Sequence, residues 1–246
     1  EETAVEDDAI VVTGVISSAG QNKIDTSISV SSLGADAIAD SNPTNLAEVF
    51  RQLPGIRSES SSGGGNSNIN VRGIPISTGG AKFLSMQEDG LPILLFGDHL
   101  FAPADGFYKS DVTLARVESV RGGTASTLTT NGPGGIINLI GKTGKNGGGS
   151  VAFGIGVDHK DYRVDAEYGA RLADDLYFHV GGHYQQGGDY RNSGYSPVSG
   201  GQVRLSLTKE FETGYVRLTG KVIDKKEQAY FPQLVSRTGD ASSGVV

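Results

Sequence analysis

Residues 121–145 read RGGTASTLTTNGPGGIINLIGKTGK, a Gly- and Thr-rich segment that turns strongly apolar at Ile136-Ile137-Asn138-Leu139-Ile140. This stretch separates two regimes. Ahead of it the pattern mixes a helical period with short alternating runs, as a compact domain of helices and strands does; behind it the period is two and stays two. The segment itself reads as a last strand of the first unit followed by a Gly-rich passage into the second.

Working back from the seam, Leu114 to Arg121 (LARVESVR) is a strand. Residues Ile93 to Tyr108 mix aromatics with Asp98, His99 and Asp105 without strict period, which predicts a long loop. Glu88-Asp89-Gly90-Leu91-Pro92 is a turn of the Asp-Gly kind, and Ile69-Asn70-Val71-Arg72-Gly73-Ile74 is an alternating strand. Arg57 to Asn68 is Ser- and Gly-rich, as an exposed loop is. Leu46, Val49, Phe50 and Leu53 recur at i, i+3, i+4 and i+7, one buried helix face, with Asn42-Pro43 as its cap and first position and Pro54-Gly55 as its stop. A helical turn is expected over Ser32 to Asp40, and a strand through Ile24, Thr26, Ile28 and Val30. Residues 1 to 9 are acidic and aperiodic, a mobile tail. They end in Asp8-Ala9-Ile10-Val11-Val12-Thr13-Gly14, a β-branched segment suited either to adding itself to another sheet edge or to opening the following domain.

Forward of the seam the apolar positions fall in five sets: Val151 to Val157, Tyr162 to Leu172, Leu176 to Tyr184, Val203 to Leu207, and Val216 to Val222. Each is greasy on one face and small or charged on the other, and an antiparallel meander connects them. Links at Ala173 to Asp175 and Lys209 to Gly214 are short and the one at Gln186 to Gly201 is long, the asymmetry of outer-membrane barrels. The short link His159 to Asp161 runs against that pattern. A soluble β-sandwich alternates as well. Tyr162, Tyr184 and Tyr215 near strand ends favour an aromatic girdle and hence a membrane barrel.

Composition sets the outer bounds. The 246 residues carry 37 Gly, 9 Tyr, no Cys and a formal net charge of −7, which suits sheet, turn and loop. It excludes disulfides and thiolate chemistry, and gives no basic surface for nucleic acid. No run of about 18 apolar residues forms a transmembrane helix, a test that barrel strands escape because they are only half apolar. The chain opens on Glu1-Glu2-Thr3, so the expectation is a mature chain whose leader has been removed. No enzyme is indicated. Gly141-Lys142-Thr143 is P-loop-like only in part, since position 136 is Ile136 and the residues before Gly141 are apolar strand. His179 and His183 share a strand face about 13 Å apart, too far for one zinc. No metal or other cofactor is implied.

The motifs then take on a collective meaning. Val117-Glu118-Ser119-Val120-Arg121-Gly122-Gly123 followed by Asn131-Gly132-Pro133-Gly134-Gly135-Ile136-Ile137-Asn138-Leu139-Ile140 resembles the end of the plug domain of TonB-dependent outer-membrane receptors. Leu46-Ala47-Glu48-Val49-Phe50 to Pro54-Gly55-Ile56, then Asn70 to Ile74, then Glu88 to Pro92 occur in that family's order and spacing. Asp8, Ala9, Ile10, Val11, Val12 and Thr13 resemble the TonB box. The resemblance implies an α+β plug domain followed by antiparallel transmembrane β-barrel strands, the first five or so of about 22. Expected divisions are 1–16 for a periplasmic tail with the box, 17–146 for the plug and 147–246 for the N-terminal part of the barrel. At about 10 residues per strand plus loops the last part holds only a beginning of the wall, and further strands are expected to follow.

The implied activity is import of a scarce nutrient of the siderophore, vitamin or carbohydrate class across a bacterial outer membrane. TonB and its inner-membrane complex would supply the energy through strand addition at the box. Partners implied are TonB, an extracellular small-molecule ligand, outer-membrane lipid and a surface lipoprotein or other outer-membrane component. Arg72 and Arg121 resemble plug arginines that pair with carboxylates on the wall; the alternative is a salt bridge inside the plug with Glu118. Apical loops Ser58 to Asn68, Ile76 to Ala81 and Leu94 to Phe107 would meet the ligand, with Phe96, Asp98, His99 and Phe101 as candidate contacts. Two other classes stay open: an exported adhesin or surface-layer fragment, and a receptor-like outer-membrane protein that assembles or signals rather than transports.

Overall fold

The structure is a computed structural model and describes residues 10–11, 21–22, 25, 28–60, 67–74, 83–93, 104–122, 125, 128–130, 132–158, 160–188 and 194–227. Near the N-terminus β1 (Ile10–Val11) pairs antiparallel with β2 (Gln21–Asn22). The strand expected through Ile24 begins later: β3 runs Val30–Gly34, and residues 24, 26 and 27 lie outside the described set. Ser31 to Gly34 extend the strand instead of starting a helix because their backbones are paired with Ser119, Glu118, Val117 and Arg116. Helix α1 then spans Ala35–Ser41.

Asn42 closes α1 and does not open the next helix. Its φ of 44° is left-handed and its N–H donates to Ala39 O, a conformation that Asn tolerates better than most residues. Helix α2, Leu46–Arg51, is opened three residues later by Asn45, whose side chain accepts from the Glu48 N–H at 3.2 Å. The Glu48 carboxylate returns to the Thr44 N–H at 2.7 Å, so two orphan donors are satisfied reciprocally. Leu46, Val49 and Phe50 with Leu53 form the buried face expected of them. Each such side chain contributes about 1.5–3 kcal/mol by leaving water.

After the turn at Pro54-Gly55 the chain enters a hairpin, β4 (Ile56–Ser60) and β5 (Ser67–Val71). Much of the polar stretch after Arg57 is thus paired strand, with Ile56 and Ser58 turned inward. Strand β6 (Leu84–Glu88) turns into β7 (Leu91–Pro92) through Asp89 and Gly90, with φ of 49° and 84°. Positive φ at both central residues suits the twist of a tight hairpin. A 3-10 turn at Ala104–Phe107 leads to β8 (Leu114–Arg121), and β9 (Gly135–Gly141) completes a sheet of order β3-β8-β9-β6-β7. Within it β6 and β9 are parallel and the other pairs antiparallel. Every residue of β9 is buried. Ile137 and Leu139 join α2 and the β4–β5 hairpin in one cluster, and Ile136 packs with Val30, Val120 and Ala125 on the other side. A continuous apolar run is what a strand covered on both faces requires.

The second sheet is a plain antiparallel meander: β10 (Gly148–Ile155), β11 (Asp161–Ala173), β12 (Leu176–Gly187), β13 (Val198–Phe211) and β14 (Gly214–Lys226). Two-residue turns at 174–175 and 212–213 lie at the end where the chain enters from the first sheet, and the connections 156–160 and 188–197 lie at the other. The first of these is longer than the sequence reading allowed, because β10 stops at Ile155, and the end-to-end asymmetry therefore holds. Among the described residues β10 and β14 each carry a single ladder, so the sheet is an open arc.

Its polarity is inverted relative to a soluble sheet. Val151, Phe153, Leu205, Leu218 and Val222 are half to more than three-quarters exposed, whereas Asp165, His179, His183, Gln202, Arg204, Ser206 and Thr208 are buried against the first unit. A sandwich would bury the opposite face. Tyr162 and Tyr184 stand on the exposed apolar side near the strand ends. Tyr215 does not: it is registered opposite Glu210, on the Arg204 side, with the Arg217 guanidinium 5.0 Å from its ring centroid.

Candidate functional site at the seam between the two sheets

Where the first unit meets the inner face of β11–β14, the contact is ionic and hydrogen-bonded. Arg204 on β13 is the largest fully buried side chain among the described residues. Its Nη2 donates to Asp89 Oδ2 at 2.5 Å, its Nη1 donates to Lys142 O at 3.3 Å, and its Nε lies 3.4 Å from Glu88 Oε1. From β14, Lys221 Nζ pairs with Glu88, and Arg217 lies 3.5 Å from Asp89 Oδ1. The same Asp89 oxygen accepts the Gly141 N–H at 2.9 Å, and the Gly90 N–H donates to Asn138 Oδ1. The Asp-Gly turn thus presents two carboxylates to three wall cations at the point where β9 ends.

A second node is built on Asp111, ahead of β8. Oδ1 accepts from the Thr113 N–H at 2.9 Å and the Thr113 hydroxyl at 2.5 Å, while Oδ2 accepts from Gln202 Nε2 at 2.9 Å and faces His183 Nδ1 at 3.2 Å. Burial alone would raise this carboxyl's pKa; the hydrogen bonds from His183 and Thr113 outweigh it and hold Asp111 below the ordinary carboxylate range. Gln202 also brackets Lys109, accepting from its N–H and donating to its C=O. Arg163 donates to Ser110 O at 2.7 Å while its guanidinium is held by Asp165. Lys109 Nζ meets Glu227 at 2.6 Å, beside Lys225 at 2.9 Å. Three neighbouring strands, β11 to β13, and Glu227 just past β14 therefore grip residues 109–111. Tyr108, fully buried under the Lys221 ammonium, has its hydroxyl pKa pushed well up by burial and by Asp111.

A third node secures the linker. Lys142 Nζ pairs with Glu167 at 2.5 Å, and Glu167 also binds His179 Nε2 at 2.9 Å and the Ser150 hydroxyl. Lys145 donates to both Glu210 oxygens, which raises its pKa. The partial P-loop likeness at Gly141-Lys142-Thr143 is resolved by these contacts, since Lys142 serves a carboxylate and Gly141 lies under a guanidinium. His179 and His183 go to different carboxylates. Among the described residues, no group of three or more His, Cys, Asp or Glu is arranged to hold a metal.

The residues singled out in the sequence fall elsewhere. Arg121 Nη1 donates to Pro54 O at 2.5 Å and Nη2 to Ser31 Oγ at 2.7 Å. Burial and the neighbouring Arg72 lower its pKa. Glu118, fully buried, is paired with Arg116 at 2.9 Å and not with Arg121. Among the described residues neither Arg72 nor Arg121 faces a carboxylate of β10–β14, because the seam there has the opposite sign: acids on the first unit, cations on the wall. Of the box residues only Ile10 and Val11 are described, as backbone in β1; Asp8, Ala9, Val12 and Thr13, and the apical candidates Phe96, Asp98, His99 and Phe101, lie outside the described residues. Glu88, Asp89, Asp111, His183, Gln202 and Arg204 were missed. For His183, Gln202 and Arg204 the signal was the run of charged and polar residues on the non-greasy positions of the wall strands, and for Glu88 and Asp89 it was the acidic turn, read in the sequence only as a turn.

Residues 22–136 match the family model of the TonB-dependent Receptor Plug Domain. Among solved structures, the pyoverdine outer membrane receptor FpvA from Pseudomonas aeruginosa aligns at TM-score 0.65 and 20% identity, over 82% of this chain and 28% of its own. The ferric-catecholate import receptor Fiu from E. coli K12 aligns at TM-score 0.62 and 18% identity, over 87% and 30%. The siderophore receptor PirA from Pseudomonas aeruginosa aligns at TM-score 0.56 and 20% identity, over 78% and 33%. No curated protein sequence matches the chain. The chain spans about a third or less of the length of these structures. Residues 22–136 are a plug domain of the TonB-dependent receptor type, and β10–β14 are the antiparallel strands that follow it in that fold.

Proposed function

We propose that this chain is the plug and the first wall strands of an outer-membrane active transporter that imports a scarce nutrient, with its N-terminal tail in the periplasm. The inverted polarity of β10–β14 is the observation that carries this reading: a sheet whose apolar side faces out and whose charged side is covered by a plug suits lipid on one side and a filled lumen on the other. In this reading TonB adds a strand to residues 8–13 and draws on the plug. Arg72 and Arg121, two adjacent guanidiniums, meet wall carboxylates outside the described strands, with Glu118 serving Arg116. The apical segments with Phe96, Asp98, His99 and Phe101 meet the ligand. Solved neighbours are named for pyoverdine, a ferric catecholate and a siderophore, so an iron–siderophore complex is the first ligand to offer, ahead of a vitamin or a carbohydrate.

The test is uptake of radiolabelled ferric siderophore by cells expressing the receptor with and without residues 8–13. Loss of uptake with binding at the cell surface retained is the expected result. Uptake that persists without the segment would sink the transport reading and favour an assembly or signalling role.

A further inference from the structure

We propose that Arg204 is the positioning residue that keeps the plug's exit strand and its Asp-Gly turn fixed to the wall. It is a second lock, separate from Arg72 and Arg121 and of inverted sign, and it rests on the transporter reading only for its effect on permeability. One guanidinium reaches three parts of the plug: Asp89 at the β6–β7 turn, Glu88 before it, and the Lys142 carbonyl just past β9. Residues 84–88 and 135–141 are parallel neighbours in the plug sheet, so one side chain on β13 holds both edges of that pair at their common end.

The fit depends on a missing side chain. A Cβ at Gly141 would lie 2.2–2.4 Å from the Arg204 guanidinium atoms, so any larger residue displaces it. Gly144 and Gly181 are close-packed as well: a Cβ on Gly144 would lie 1.8 Å from Phe178 O, and one on Gly181 2.8 Å from Glu167 Cβ and 2.9 Å from both Ala166 O and Thr113 Cγ2. Arg217 and Lys221 flank the carboxylates but are partly exposed, and neither reaches Lys142. The expected coupling is therefore strongest at Arg204: removing it frees both the turn and the exit strand, while removing either flanking cation weakens the carboxylate end alone. Among the described residues, the ion pairs between the plug or its exit and β10–β14 gather around Arg204, Asp111 and Lys142.

The chain has no cysteine, so a disulfide between Thr113→Cys and Gly181→Cys reports seating on a clean background. In membranes from cells expressing the receptor, the cross-linked fraction of the parent pair, in which Glu167 and β11 give way to the new Cβ at 181, is the reference. With Arg204→Ala or with Gly141→Ala, which displaces the arginine while keeping its charge, the ratio of cross-linked to free protein should fall about tenfold or more. Arg204→Lys, which keeps the ion pair but loses the carbonyl bond, should fall between, and Lys221→Met, which leaves Arg204 on both Asp89 and Lys142, should lose clearly less than Arg204→Ala. The same variants that lose the cross-link should admit a large antibiotic without TonB. Unchanged cross-linking in both Arg204→Ala and Gly141→Ala would overturn the proposal. So would equal losses in Lys221→Met, which would make the effect a general loosening. No uptake by the parent, with cross-linking that still falls in Arg204→Ala and Gly141→Ala, would count against the transporter reading alone, because cross-linking reads position and not uptake.

Discussion

The plug sheet and the wall sheet are written in the same alternating code and resolve it in opposite directions. In the plug, Val117, Ile137 and Leu139 face a core closed by α2 and the β4–β5 hairpin, and the apolar face is the inside. In the wall, Val203, Leu205 and Leu218 face out while Arg204, Gln202 and Ser206 are buried. Alternation therefore tells how a strand is divided, and only what lies against each face tells which half is the interior. The lesson extends to energy: the plug is held by apolar area, the seam by paired charges whose removal one at a time leaves the other stranded.

Breaking the plug side should give the largest effect. Phe50→Ala, at a fully buried position on α2, should cost about 3–5 kcal/mol of plug stability, read by denaturant unfolding of the seated receptor. Leu205→Arg on the wall should cost about 2–4 kcal/mol in a bilayer and nearly nothing if that face meets water; folding efficiency into vesicles decides between them, and a neutral result would collapse the contrast. Asn45→Ala, which removes the α2 cap, should cost about 1 kcal/mol.

Acid sharpens the contrast differently. The folded pKa of Asp111 is depressed, so its contribution is fully present above the ordinary carboxylate value and is lost as pH falls through the depressed one. Thermal stability of the receptor in detergent should fall below about pH 4, and Asp111→Asn should flatten that fall; an unchanged acid profile in the variant would place the titrating group elsewhere. At the bottom of the scale, Arg57→Ala should shift stability by less than about 0.5 kcal/mol, because its 3.7 Å pair with Glu59 is open to solvent.

Much of the plug was legible in the chain. The α2 face, the strand at Leu114–Arg121 and the Asp89-Gly90 turn depend on residues near one another in sequence, where period and turn chemistry act. The cap was misplaced because Asn42 and Asn45 are both good cap residues and only the left-handed φ at Asn42 separates a helix end from a helix start. Tyr215 was misread although the information was present: it adjoins Val216, which is on the outer face, so it had to point inward. The seam pairs were not legible. Asp89 and Arg204 are 115 residues apart, and their meeting depends on the register of β13 and on how the plug sits, neither of which a local pattern encodes. The wall did show which residues needed partners; it did not show whose carboxylates they would be.

The order in which the plug sheet is written has a consequence for how it is made. Strand β9, residues 135–141, is inserted between β8 and β6 and is the last of the five to leave the ribosome. Until it arrives, β6 has only the two-residue β7 beside it and β8 only β3, and both present bare edges to whatever is near. The sheet therefore closes in one late step, after every other strand of it has been waiting, and a chain halted before Gly135 is a pair of unfinished sheets with open edges.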